Sequence, residues 1–221
     1  MTSTKKRGPI MKKRFVISLL IVCVLLPTAL SAALLDLSIG ATAQYNQPLG
    51  QIKTDAENEV LMDAFMDFEN YSLGADVRLK VLLAQVDLVG KFSQETRGTE
   101  KYTKIETLAT AGISMDVLGI ARLGFGLGPN WIVRMNNDSG EFTIFDDNDD
   151  PVELDNLGET FMNSPVAYRA TLDFKLGKMR LGVNYTLDTE YTFEKPAEVD
   201  KLFTGKFDDG KFGVSLLFSL F

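Results

Sequence analysis

Hydrophobic and polar residues alternate with a period of two along most of the chain after residue 34. In the last stretch, Phe212, Val214 and Leu216 fall on one side, while Gly213 and Ser215 fall on the other. This period is typical of a β-strand with one apolar face. A strand of about 9–11 residues also has the length of a tilted bilayer crossing. The pattern predicts an all-β fold of eight strands, at residues 35–45, 71–81, 84–93, 104–116, 121–128, 166–176, 179–188 and 211–221.

The connections between these strands alternate between long and short. An even number of strands, with every short connection at one end, is typical of a bacterial outer-membrane barrel. Because unpaired strand edges are not tolerated in lipid, we expect the last strand to pair with the first. The sequence therefore predicts an eight-stranded antiparallel transmembrane β-barrel with three short periplasmic turns and four long outward loops, at residues 47–69, 95–103, 135–164 and 189–209.

A secreted soluble barrel of lipocalin type is the alternative architecture, because alternation alone does not say which face is inside. Two features favour the membrane barrel. Small residues on the polar face suit a narrow lumen crowded with long side chains, and five glycines lie there: Gly74, Gly112, Gly124, Gly126 and Gly182. Aromatic residues near strand ends are typical of interfacial girdles, and the chain has six: Tyr45, Tyr71, Phe92, Trp131, Tyr191 and Phe193.

The N-terminal segment has the features of a secretory signal peptide. Basic residues at 12–14 precede an apolar run at 15–26, and small residues follow, which predicts cleavage near Ser31–Ala33. We assign residues 1–33 to an extension plus signal peptide and residues 34–221 to the barrel; Met1 and Met11 both remain candidate starts. Cys23, the only cysteine, lies inside the apolar run. A lipid anchor there is the alternative, but Val22 occupies a position where that motif has a small residue.

Removal of the leader changes the charge of the chain. Six basic residues and no acidic ones precede residue 34, so the net charge falls from −7 to −13. The four predicted long connections hold 23 acidic and 6 basic residues. Such a surface repels nucleic acid and gives the outward loops an acidic character.

Little in the sequence points to catalysis. The chain has no histidine, and its one cysteine is in the leader, so the usual bases and thiol nucleophiles are lacking. We expect no enzymatic activity and no cofactor. Pro151 and Leu157 occupy positions where a calcium loop of EF-hand type has glycine and glutamate. We therefore expect no defined metal site, and at most a weak cation-binding loop formed by Asp146, Asp147, Asp149 and Asp150.

Charges of both signs lie on the polar faces of the strands. They could form a conduction path, or they could form a plug of paired charges. An eight-stranded barrel is filled by its own side chains, and buried charges require partners, so the plug is favoured. The candidate lumen network is Asp76, Arg78, Asp87, Lys91, Glu106, Arg122, Arg169, Asp173 and Arg180.

Signal peptide, eight crossings, long outer loops and the terminal Phe221 together resemble the small eight-stranded outer-membrane barrels: the OmpA transmembrane domain, OmpX-like and OmpW-like proteins. The resemblance covers the mature chain and is architectural. It implies an outer-membrane location, outer-membrane lipid as the surroundings, and assembly machinery that recognises the C-terminal strand. Two functions remain open: a non-enzymatic structural or adhesion protein that displays its loops on a plugged barrel, and, as the OmpW-like resemblance implies, a narrow channel for small or hydrophobic molecules.

Overall fold

The chain forms a β-barrel of eight long strands. The computed structural model describes residues 35–145, 151–152 and 157–220. Two further short strands lengthen one side of the wall. The strands are β1 Leu35–Tyr45, β2 Tyr71–Val81, β3 Ala84–Arg97, β4 Glu100–Val117, β5 Ala121–Asn136, β6 Phe142–Phe145, β7 Pro151–Val152, β8 Pro165–Leu176, β9 Met179–Thr192 and β10 Lys211–Ser219.

The barrel closes by pairing its last strand with its first. Around the wall the order is β1, β2, β3, β4, β5, β8, β9, β10, and all neighbours are antiparallel. At the seam, Ser38 of β1 lies opposite Ser219 of β10, and Gln44 lies opposite Gly213. The predicted closed antiparallel barrel of eight strands is confirmed, and so is the predicted pairing of the terminal strands.

The apolar face of every strand points outward and the polar face points into the lumen. Ile113 and Phe92, for example, are 65% and 54% exposed on the outer wall, whereas Asp76 and Asp173 in the lumen are fully buried. This facing is the reverse of a lipocalin-type barrel, in which the apolar faces surround the interior. The alternation of inward and outward side chains along β5 continues without interruption through Pro129, because the register between β4 and β5 is the same before and after this residue.

The two ends of the barrel differ. At one, which we call the turn end, residues 82–83, 118–120 and 177–178 make short turns. At the other, the loop end, the connections hold helices. These are α1 Leu49–Glu57, α2 Leu61–Met66 and α3 Leu157–Asn163, with 3-10 turns at Phe68–Asn70, Val199–Phe203 and Phe207–Asp209. In the described part of the chain, no helix is long and apolar enough to cross a membrane.

One predicted loop is wrong. Residues 95–103 are not a loop, because β3 continues to Arg97 and β4 begins at Glu100, which leaves only Gly98 and Thr99 as a turn. Gly98 has a φ of +61°, a left-handed conformation that glycine adopts at low cost. Strands β3 and β4 extend beyond their apolar faces, because backbone pairing between them continues to Arg97 and Glu100, where most side chains on both faces are polar. The wall on this side therefore projects at the loop end.

Aromatic contacts organise the loop end. Tyr45 packs against Phe65 and Tyr71 with ring centroids 5.0 and 5.2 Å apart. On the far side of the barrel, Phe161 of α3 packs against Trp131 of β5 at 4.8 Å. Such pairs stabilise the packing beyond the area that they bury. They hold the helical connections against the barrel mouth.

Candidate functional site: the charged lumen

The lumen contains ionisable side chains from every strand of the barrel. They are inside because strand alternation places each polar residue there, and the register decides which of them meet. We describe them as three clusters along the axis, each of which pairs charges of opposite sign. From the turn end, the lower cluster comprises Asp36, Lys80, Asp116, Arg122, Lys175 and Arg180; the middle cluster comprises Asp76, Arg78, Asp87, Arg169 and Asp173; the upper cluster comprises Lys91, Lys104, Glu106, Asp188 and Lys211.

The middle cluster connects opposite walls of the barrel. Arg78 of β2 donates to both carboxylate oxygens of Asp173 on β8, at 2.6 and 2.7 Å, and also pairs with Asp76 at 2.7 Å. Arg169 of β8 donates back to Asp76 at 2.7 Å, and its Nε lies 4.0 Å from Asp87. All five side chains are buried. Because β2 and β8 lie four strands apart in the ring of eight, these ion pairs cross the full width of the lumen.

The lower cluster also crosses the lumen. Arg122 of β5 donates to Asp36 of β1 and to Asp116 of β4, both at 2.8 Å. Arg180 of β9 donates to the same oxygen of Asp36. Asp116 accepts in addition from Lys80 at 2.9 Å, and Lys175 lies 2.8 Å from its other oxygen. Four cations therefore meet two carboxylates immediately inside the turn end.

The upper cluster centres on Glu106 of β4. Lys91 of β3 donates to Glu106 and to Gln44, at 2.7 and 2.6 Å. Asn130 of β5 donates to Glu106 at 3.1 Å and to Asp188 of β9 at 2.8 Å. These bonds span neighbouring and next-nearest strands, so they follow the lumen wall from β1 round to β9 rather than crossing the lumen.

An apolar patch separates the middle cluster from the upper one. Val89, Leu108 and Ala167 occupy lumen-facing positions, are buried and touch one another. Val89 and Leu108 lie directly opposite each other on β3 and β4. Their side chains break the polar pattern of the lumen face, and they are not among the lumen residues predicted from the sequence. The alternation of the strands does place Val89 and Leu108 on the lumen face, because the residues two positions before and after each of them are polar.

Free space beside the middle cluster is small. A Cβ atom at Gly182 would lie 2.4 Å from Oδ1 of Asp173, and one at Gly124 would lie 2.5 Å from Oγ1 of Thr171. Some buried polar atoms, among them Oγ1 of Thr171, have no hydrogen-bond partner among the described residues. Ordered water commonly satisfies such groups. At the level of the middle cluster, the lumen is therefore closely packed with paired charges.

The structure brings the nine predicted lumen residues into three groups. Five form the middle cluster, Lys91 and Glu106 belong to the upper cluster, and Arg122 and Arg180 belong to the lower one. The candidate network did not include Asp36, although it accepts from both lower arginines. Its position on the polar face of β1 was readable, but its partners lie on β5 and β9, which only the closed barrel brings near.

The predicted acidic loop cannot be placed, since Asp146, Asp147, Asp149 and Asp150 lie outside the described residues, as does Phe221. Within residues 35–145, 151–152 and 157–220, no three carboxylate, histidine or cysteine side chains are grouped as a metal site.

No protein-family model matches the chain, and no curated protein matches it. The function is therefore argued from the geometry of the barrel and its lumen.

Proposed function

We propose that this chain is an integral outer-membrane protein without enzymatic activity, in which a barrel closed by ion pairs carries acidic loops to the cell exterior. The observation that carries the proposal is the distribution of polarity. Charged pairs fill the inside of the barrel, while exposed large apolar side chains cover the outer side of all eight wall strands. A water-soluble barrel has the opposite arrangement.

The outer wall supports a lipid environment. Large apolar side chains such as Leu88, Phe125 and Leu181 are about half exposed on three different strands, and the same holds around the ring. A continuous apolar belt of this kind is unfavourable in water and favourable in lipid. All wall strands are hydrogen-bonded on both sides, so the belt has no unpaired edge.

The lumen supports the closed state rather than a channel. Arg78 with Asp173, and Arg122 with Asp36, connect walls that lie four strands apart. A permeating ion would have to break these buried pairs, and exposing or separating buried partners is costly. The pairs therefore act as a plug, and the barrel serves as a rigid support for its loops.

The loop end supports a role at the surface. The connection between β9 and β10 contains Glu194, Glu198 and Asp200, and that between β1 and β2 contains Asp63 and Asp67. The absence of histidine from the whole chain supports a role in display rather than catalysis. The partner of these loops would be an extracellular surface or ligand of neutral or basic character.

The lipid-facing assignment is tested by arginine at an outward position. Val183 is outward and 41% exposed on β9, so Val183→Arg should impair insertion into vesicles, at about 2–4 kcal/mol near the bilayer centre. Val183→Leu is the matched control and should insert normally. The readout is the fraction folded in lipid as a function of urea. Equal stability of the arginine and leucine variants would refute the membrane assignment.

The closed state is tested by planar-bilayer recording of the refolded chain. We expect no sustained single-channel openings, because the ion pairs block the lumen at two levels. Steady openings in the unmodified protein would refute the plug and favour the alternative function, a narrow channel. Impaired insertion of Val183→Arg together with steady openings would retain the membrane location and reject only the closed state.

A further inference from the structure

The turns at the turn end have an unusual composition. Such turns normally expose glycine, asparagine and other polar residues. Here Leu118 and Ile120 of the β4–β5 turn are 72% and 64% exposed. Leu82 and Leu83, which form the whole β2–β3 turn, are exposed as well. Apolar side chains therefore occupy two of the three turns.

The backbone of these turns does not require leucine. Leu82 and Leu118 have φ angles of +56° and +51°, in the left-handed region. A Cβ atom disfavours that region, and glycine or asparagine adopts it more readily. In the third turn, glycine does occupy the left-handed position, at Gly177 with φ +67°. Leucine at the other two positions therefore opposes turn formation. Its apolar side chain accordingly has a role other than shaping the turn.

The exposed apolar residues are spaced regularly around the barrel. The three turns and the seam between β10 and β1 fall at every second gap between the eight wall strands. At the third turn and the seam, Leu176 and Leu35 are exposed and continue the ring. Backbone hydrogen bonds tie each turn to the next strand, as from Ser114 N to Leu83 O at 2.7 Å. We call this ring the turn rim; its members are Leu35, Leu82, Leu83, Leu118, Ile120 and Leu176.

The charge at this end is positive. The turns at residues 82–83, 118–120 and 177–178 contain no acidic residue and one basic residue, Lys178, which is exposed. Directly inside them, the lower cluster has four cations for two carboxylates. The turn end is thus an apolar ring around a cationic centre, whereas the long connections of the loop end are acidic.

We propose that the turn rim is embedded at the boundary between headgroups and acyl chains of the adjoining leaflet, where it contacts phospholipids with anionic headgroups. The inference rests on the proposed membrane function and extends it to a surface that would otherwise face water. Phospholipid is the fitting occupant because the apolar residues surround the barrel on all sides, are continuous with the apolar wall, and accompany positive charge.

Tryptophan quenching tests this placement in the whole chain. Trp131 is the only tryptophan, so Trp131→Phe provides a background for single probes. Leu83→Trp and Ile120→Trp report on the turn rim without using a left-handed position. Phe125→Trp reports on the wall, and Thr99→Trp reports on the turn at the opposite end. Each variant is folded into vesicles of phosphatidylcholine with phosphatidylglycerol. The lipids carry bromine on their acyl chains, either near the headgroup end (shallow) or near the chain terminus (deep).

We expect both rim probes to be quenched by the shallow bromines more than by the deep ones. The wall probe should be quenched strongly by the deep bromines, and the Thr99→Trp probe by neither. If the wall probe is quenched and the rim probes are not, the turn rim lies in water and this inference fails while the membrane function stands. If the wall probe is also unquenched, the proposed membrane function itself fails.

A second pair of variants separates side chain from turn geometry. Leu82→Asn and Leu118→Asn suit the left-handed backbone, so the turns should form at least as readily. Combined with Ile120→Trp, they should lower shallow-bromine quenching, because the rim loses two of its apolar contacts. Unchanged quenching in the double variant would show that these leucines do not hold the rim in lipid, and would overturn the proposal.

Discussion

At the scale of single residues, the buried arginines are the most consequential side chains. Arg78 holds two carboxylates at once, Asp76 beside it and Asp173 on the opposite wall, through hydrogen bonds of 2.6–3.2 Å. Charge-assisted bonds of this kind are stronger than neutral ones. Burial makes them depend on each other, because each carboxylate is tolerated only while it is paired.

Removing Arg78 should therefore be severe. Arg78→Ala leaves Asp173 without its two hydrogen bonds and Asp76 with fewer partners, so we expect the free energy of unfolding in lipid or detergent to fall by about 3–5 kcal/mol. Lys53→Ala is the matched control. The pair that Lys53 makes with Asp208 is 53% exposed on both sides, and exposed pairs contribute about 0–1 kcal/mol. Urea unfolding of both variants provides the measurement, and similar losses would contradict the plug.

At the scale of elements, adjacent strands approach each other closely at lumen-facing glycines. A Cβ atom at Gly74 of β2 would lie 1.9 Å from the carbonyl oxygen of Gly90 on β3. Because that oxygen belongs to the backbone, it cannot rotate aside as a flexible side chain would. The two strands keep their register there only because residue 74 has no side chain.

Gly74→Ala should accordingly separate β2 from β3. We expect a loss of about 1–3 kcal/mol or more in unfolding free energy, as for other overpacked sites. Gly90→Ala on the neighbouring strand is the control, since its Cβ would point outward with no atom within 4 Å. Thermal unfolding followed by circular dichroism compares them. A Gly90→Ala variant as unstable as Gly74→Ala would show that backbone freedom, and not the close approach, explains the glycine at residue 74.

At the scale of the whole molecule, the two ends of the barrel are chemically opposite. The turn end is short, apolar and cationic, while the loop end carries three helices and long, acidic connections. For the proposed membrane location, we expect this asymmetry to give the barrel one orientation, with the loop end outward and the turn end in the periplasm.

Epitope tags test that orientation on intact cells. A tag inserted between Gly98 and Thr99, at the tip of the extended β3–β4 hairpin, should bind antibody without permeabilisation, and so should one beside Asp149. A tag between Gly177 and Lys178 should bind only after permeabilisation, because it lies at the turn end. All three insertions fall in turns or connections, so the barrel should still form. Resistance of the barrel to trypsin added to intact cells can verify this. Equal labelling of all three tags on intact cells would reject the arrangement.

The period of two in the sequence determined much of this protein. It predicted the eight strands, their antiparallel closure and the position of the lumen-facing residues, because alternation assigns every residue of a strand to one of two faces. The acidic character of the long connections was also readable from composition, whereas the leader stays a prediction. Two properties were not readable in this way. The extension of β3 and β4 to Arg97 and Glu100 depends on backbone pairing. The hydrophobicity of the side chains does not report such pairing.

The other property is partnership inside the lumen, which only the tertiary structure decided. Asp36 and Arg122 are 86 positions apart, and Arg78 and Asp173 are 95 apart, yet each pair shares hydrogen bonds. Their meeting depends on strand register and on closure of the ring, which bring opposite walls within reach of one side chain. Closure also decided which face is inside. With the apolar faces outward, the charged side chains lie in the narrow interior, where each requires a partner.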